Sequence, residues 1–211
     1  MSDKPVIVLG GGGHGRVLID LLQLTARPIL GICDPQLAAG AGGPMGIAVL
    51  GDDDAVLAYS RDDIELVNGI GSTKTMTLRH TVYRRFGERG FRFATLLHPS
   101  AVVARGVRLD EGAQIMAGAV LQCGASIGAN SIVNTRASVD HDCTIGQTVH
   151  IAPGVTLSGN VGIGDRTHVG TAAIIIQSVR VGEDCLVPAG ALVTRDVPDG
   201  TRLRTSGGSI A

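Results

Sequence analysis

From Val103 to Val193, every sixth residue is Val, Leu or Ile, sixteen in succession. Four places after each of these stands a small or short-branched residue, from Val107 through Ala113, Ala119 and Cys143 to Val197. Neither a helix nor a simple strand alternation has period six, so the pattern is that of a solenoid. A large aliphatic and a small residue point inward along each short strand, and the chain then turns. The position three after the aliphatic is Gly, Asn or Asp in eleven of sixteen units, the residues that most readily accept a positive φ. Three such units close one coil of 18 residues, and coils stack about 4.8 Å apart through backbone hydrogen bonds. The repeat predicts a parallel β-helix of triangular section with about five coils, to which Leu97 adds a possible further unit.

Such an interior is too narrow for rings. All five aromatic residues (Tyr59, Tyr83, Phe86, Phe91 and Phe93) precede residue 94, which places a domain boundary near residue 95. The expected organisation is therefore a small α/β domain over 1–95 and a β-helix over 96–211, the latter including a C-terminal tail. In the first part, Val6–Leu9, Ile29–Cys33 and Glu65–Ile70 read as strands, with a helix from Arg16 to about Leu24 and others flanking the third strand. Strands alternating with helices argue for a short parallel sheet, a small Rossmann-like unit.

Gly10-x-Gly12-x-x-Gly15 follows the first strand, and Asp34 lies 19 residues beyond Gly15, where a ribose-binding acid is expected in a dinucleotide fold. Only about 95 residues precede the repeat, half of a complete dinucleotide fold, and no second substrate domain follows. A glycine-rich turn at a helix N-terminus binds any phosphate, so an NAD enzyme is the lesser alternative.

The net charge of −1 offers no basic footprint for nucleic acid, and no apolar run approaches the roughly 20 residues of a membrane span. The N-terminal MSDKPVIVLG lacks a basic-then-apolar leader. Four cysteines without CxxC spacing fit a reduced, cytoplasmic setting. Cys143 and Cys185 fall on inward positions as inert core, and nothing marks Cys123 as activated.

The repeat leaves one residue unexplained. In V139-D-H-D-C-T-I-G146, Asp142 occupies a corner position that turn geometry alone would justify, but no such preference requires His141. An outward imidazole between two acids should have a raised pKa and suit proton transfer. His150 and His168 lie one coil apart and should stack on one face. No His-x4-His pair or carboxylate cluster completes a zinc site, so no metal is expected. His80 and His98 read as structural, whereas His14 in the glycine loop is equally open to a ligand-facing and a packing role.

The hexads, the opening V-x-G-x-G-G-H-G, the H98-P-S-A101 lead-in and the V-x-H-[DE]-C-x-I-G context together resemble the bacterial hexapeptide-repeat sugar-nucleotide N-acetyltransferases over essentially the whole chain. The resemblance implies a left-handed β-helix, a homotrimer with acetyl-CoA between neighbouring prisms, and a nucleotide-linked 4-amino sugar as acceptor, with GDP-perosamine the nearest match. It implies that His141 is the general base, Asp142 its orienting partner and Asn134 an active-site residue near the acceptor amine. His150 becomes a second active-site histidine on the cofactor side, with Gly159, Thr171 and Ala189 also contacting the acetyl-CoA. For Gly159 the alternative is an ordinary corner glycine. The nucleotide sugar is expected on Gly10, Gly12, Gly13, His14, Asp34, Gly71 and Ser72. O-acetylation of the sialic-acid type and a purely structural β-helix are the other readings. One departure from the family is the ending R202-L-R-T-S-G-G-S-I-A211, which lacks the G-x-P-A-[KR] segment that helps cover the cofactor.

Overall fold

The structure, a computed structural model, describes residues 4–40, 42–72 and 75–204. The first three residues of the MSDKPVIVLG stretch and the last seven of the R202-L-R-T-S-G-G-S-I-A211 ending, both of which carry expectations from the sequence, lie outside them. Contacts divide the chain into one unit of residues 1–71 and 78–95, and another of 72–77 together with the chain from Leu96 onward.

In the first unit, β1 (Val6–Leu9), β2 (Ile29–Cys33), β3 (Val49–Gly51) and β4 (Glu65–Asn68) form a parallel sheet in the order β3-β2-β1-β4. The burial of all four β1 side chains explains its continuous VIVL run, since both faces of a parallel strand are covered. Helix α1 (Gly13–Leu24) begins three residues earlier than the apolar periodicity suggests. Its N-cap is Gly12 and its first turn is GHG, so the glycine motif is itself the start of the helix. Strand β3 has no periodic signal in its three residues, and the element before β4 is a 3₁₀ turn (Asp53–Ala58). Helix α2 (Thr77–Gly87) follows β4. All five aromatics pack in or against one cluster with Ile7, Leu9 and Leu66.

Among its described residues, the second unit is a regular coil of seventeen two-residue strands, from β5 (Leu96–Leu97) to β21 (Leu192–Val193). They form parallel sheets of six, six and five strands, so the prism comes close to six turns, somewhat more than the hexads from Val103 predict. Leu97 does supply the extra unit. Each strand pairs with the one 18 residues on, as in Val139↔Leu157 and Ile151↔Val169. The hexad aliphatics fill a single ring-free core, with Ile115, Leu121, Val133, Val139, Ile151 and Val169 at 0 % exposure. Every corner from Gly106 to Gly190 has a positive φ, including Arg136, Thr148, Arg166, Ala172 and Ser178, which have no intrinsic preference for it. Closing the triangle in six residues imposes that geometry, and the stacked ladders stabilise it against local cost.

Candidate active site

Strand β12 (Ser138–Val139) leads to Asp140, and the corner His141–Asp142 carries the chain to β13 (Thr144–Ile145). Asp142 adopts φ 60°, the left-handed geometry the corner demands. In that geometry its Oδ2 lies 2.9 Å from His141 Nδ1, so turn residue and imidazole partner are the same side chain. The Asp140 carboxylate accepts the His141 backbone N–H at 2.8 Å. The hydrogen bond to Asp142, with the charges of Asp140 and Asp142, raises the His141 pKa above its ordinary value. Both side chains are more than half exposed. A carboxylate at Nδ1 requires the proton there, which leaves the lone pair of the neutral ring on Nε2.

Gly159 lies one coil below, in the corner after β15 (Thr156–Leu157). A Cβ at this position would collide with His141 Nε2 and lie 2.6 Å from its Cε1. The φ of Gly159 is not positive, so the glycine is needed for the imidazole above it and not for the turn. Among the described residues its N–H has no protein acceptor. Gly124, one coil above Asp142, combines φ 77° with a position where a Cβ would collide with Asp142 Oδ1.

A second group gathers on another face of the prism. His150 opens β14 (His150–Ile151) and His168 opens β17 (His168–Val169), and the two pair in register. Their rings meet edge to face at 5.0 Å, and both are nearly buried. Asn134 Nδ2 lies 3.0 Å from His150 Nε2. The orientation of that amide is fixed, because its Oδ1 accepts the Thr135 N–H at 2.8 Å and faces the Thr135 hydroxyl at 3.3 Å. Ser72, expected with Gly71 at the nucleotide sugar, groups by its contacts with the second unit. Its Oγ lies 2.7 Å from His168 Nδ1 and 3.3 Å from His150 Nδ1. Burial lowers the pKa of His168.

Thr171 and Ala189 stack one coil apart at the corner after that same face, both exposed. Their N–H groups have no protein acceptor among the described residues. A Cβ at Gly170 would lie 2.6 Å from the Ala189 nitrogen, so this corner too is kept open by glycine. The expected residues of the prism therefore fall into sets at different corners: His141, Asp142 and Gly159 at one, and Asn134, His150, Thr171 and Ala189 at or leading into another.

In the first unit, the Asp34 carboxylate accepts the Gly11 N–H at 2.7 Å and the Gln36 N–H at 2.8 Å. Both oxygens are thus engaged in holding the glycine loop against the end of β2. Gly10 turns at φ 97°, and a Cβ at Gly15 would collide with the Gly10 carbonyl. Gly12 and Gly13 face open space at an N-terminus with neither a side-chain cap nor an acid in its first turn, an arrangement suited to an anion. A Cβ at Gly71 would sit 3.1 Å from the His14 Cβ, so this glycine lets the two loops pass closely.

Sequence reasoning gave no role to His168 and passed over Arg79. The latter is fully buried in α2 and donates through Nη1 to the Asn68 and Ile70 carbonyls, which fixes the chain beyond β4. An arginine on a helix normally reads as surface, and only the path of the chain after Asn68 brings carbonyls to it. His98 accepts from the Ser100 N–H and lies near its hydroxyl, a local turn as expected. Burial raises the thiol pKa of Cys143 and Cys185. Among the described residues, no group of three or more His, Cys, Asp or Glu is placed to hold a metal ion, and no helix is long and apolar enough to cross a membrane.

Known proteins resemble this chain in both its parts. The PglD N-terminal domain family matches residues 5–86. A UDP-N-acetylbacillosamine N-acetyltransferase of Bacillus subtilis is 36% identical over 117 residues; the match covers 54% of this chain, which spans about half (52%) of that protein's length. The acetyltransferase domain of PglB from Neisseria gonorrhoeae, in complex with acetyl coenzyme A, is 32% identical with a TM-score of 0.88, over 95% of this chain and 96% of that one. PerB from Caulobacter crescentus, in complex with CoA and GDP-perosamine, is 37% identical with a TM-score of 0.84, over 92% and 91%. The chain belongs to the hexapeptide-repeat, left-handed β-helix sugar N-acetyltransferases, enzymes whose acetyl donor is acetyl-CoA.

Proposed function

We propose that this chain transfers the acetyl group of acetyl-CoA to the amine of a nucleotide-linked 4-amino sugar, with GDP-perosamine the first candidate acceptor. The observation that carries the proposal is the His141–Asp142 pair standing over Gly159. The Nε2 lone pair accepts the proton of the sugar nitrogen as that nitrogen attacks the thioester carbon. Asp142 holds the ring and stabilises the imidazolium. The carbonyl electrons move to oxygen, where the Gly159 N–H is a preorganised donor; loss of such a donor costs about 3 kcal/mol in comparable sites. When the intermediate collapses, the C–S bond breaks and the imidazolium returns its proton to the departing thiolate. No covalent acyl-enzyme is involved.

Asn134, with one N–H directed to His150, keeps the second for a ligand oxygen, and the open Thr171 and Ala189 amides serve the pantetheine end of the cofactor. The glycine loop of the first unit, Gly10 to His14 with Gly71, holds the nucleotide. The two sets of prism residues lie at different corners, so a homotrimer, in which one prism's corner faces a neighbour's, completes each site. The exposed Val102, Ile174 and Leu192 on the face of β6 (Val102–Val103), β18 (Ile174–Ile175) and β21 support such packing.

The test is release of CoA thiol from acetyl-CoA with UDP- and GDP-linked 4-amino sugars side by side, with sedimentation of the free protein. Turnover with one sugar, abolished in His141→Ala, and a trimeric mass are expected. No thiol release with any amino sugar would refute the transferase assignment. Full kcat/KM in His141→Ala at pH 7 would remove that residue as base.

A further inference from the structure

The hydrogen bonds that Asn134, Ser72 and His168 make around His150 form a chain with one consistent proton order. Thr135 pins Asn134 Oδ1 with its N–H, so the amide must present Nδ2 to His150. His150 Nε2 is then an acceptor, and its neutral ring must carry the proton on Nδ1. Nδ1–H points to Ser72 Oγ, which in turn has its own hydrogen to give to His168 Nδ1. The reverse order would turn an N–H of His150 against the N–H of Asn134. The 2.7 Å Ser72–His168 contact is also the shorter of the two, as expected where the hydroxyl commits its proton.

We propose that Ser72 and His168 are positioning residues that fix His150 in the Nδ1–H tautomer, with Nε2 held on Asn134 so that the amide offers its remaining N–H to the acyl group. The inference rests on the acetyl-transfer function only for its kinetic consequence. Two features oppose the arrangement and show that it is imposed. A free neutral imidazole favours the proton on Nε2, and His150 and Ser72 are 78 residues apart, so only the folded chain supplies the acceptor. His168 provides a nearly buried, uncharged nitrogen that receives the hydroxyl proton, a task suited to a ring whose protonation is disfavoured by burial.

The experiment is long-range ¹H–¹⁵N NMR of the histidine side chains in the full chain, with steady-state kinetics on the same samples. Wild-type His150 should show the Nδ1–H tautomer. Ser72→Ala and His168→Leu should both release it to the ordinary mixture. They should lower kcat/KM about 10- to 100-fold, by analogy with the loss of an outer hydrogen-bond partner of a metal-bound histidine, with most of the loss in kcat. His168→Asn places an amide oxygen where Nδ1 stood, so it should restore the tautomer and most of the rate lost in His168→Leu. An Nε2–H tautomer in the wild type would overturn the proposal. So would a Ser72→Ala protein with unchanged tautomer, or one with altered tautomer and wild-type kcat/KM. The NMR arm needs no substrate, so a failure to find any acceptor sugar would count against the transferase assignment and leave the tautomer decided.

Discussion

Replacing Gly159 by alanine tests whether the imidazole of His141 must stand where the structure puts it. The added methyl carbon would collide with Nε2 and lie 2.6 Å from Cε1, whereas ordinary contact begins near 3.4 Å. The ring must therefore retreat by at least about 0.8 Å, and more at the nearer Nε2, since no backbone strain at Gly159 gives way first. The exposed ring is free to move outward, so the fold should survive. Alanine restricts the unfolded chain and stabilises by about 0.4–1 kcal/mol, against about 0.5–1.5 kcal/mol for an off-rotamer side chain. Net stability should change by less than about 1 kcal/mol. Activity should not survive as well, because misplacing a reacting group by about 1 Å costs on the order of 100-fold. The Gly159 N–H is still present in the variant, so the loss reports on the base and not on the oxyanion donor. The assay is kcat/KM from thiol release beside a thermal melt. A Gly159→Ala protein with wild-type kcat/KM would refute the placement, as would a loss accompanied by a matching fall in Tm.

For Asp142→Asn, kcat/KM should fall and its acid limb should move to lower pH. Transfer requires neutral His141, activity is lost as pH drops below its pKa, and Asp142 is the main cause of that pKa being raised; a pH–rate profile of the two proteins checks this. Asp34→Ala should raise KM for the nucleotide sugar more than it lowers kcat. The same change should cost about 1–3 kcal/mol in a denaturant titration, since it removes a charged acceptor from the Gly11 and Gln36 amides. Gly124→Ala should destabilise by roughly 1–2 kcal/mol at its φ of 77°. It should also weaken the His141–Asp142 pair, read as a lower NMR pKa for His141, because its Cβ would collide with Asp142 Oδ1.

Period and composition made the prism legible. One aliphatic and one small residue per hexad leave no other way to bury both along so short a strand, and the absence of rings from the interior follows from its width. The same regularity isolated His141, since a repeat that accounts for every neighbour exposes the residue it does not need. Local chemistry was less informative where the coil overrides it. Thr148 and Arg166 turn with positive φ because three strands must close, not because of what they are. Asp142 had two competing explanations, and at φ 60° with its carboxylate on His141 both hold together.

What only the tertiary structure decided are contacts between residues far apart in the chain. Asp34 fits the spacing of a ribose-binding acid, yet its oxygens are engaged by loop amides, one of them from Gly11, 23 residues away. Gly159 could be any corner glycine until the imidazole stacked above it shows what a side chain would strike. Ser72 was expected at the nucleotide sugar and His168 had no role, and only the folded chain shows the Ser72 hydroxyl within reach of the two imidazoles. A six-residue period encodes its own neighbours, because stacking sets every residue over the one 18 positions on. It does not encode which outside segment completes a hydrogen bond on its outer face, since that depends on the path of a chain with no repeat.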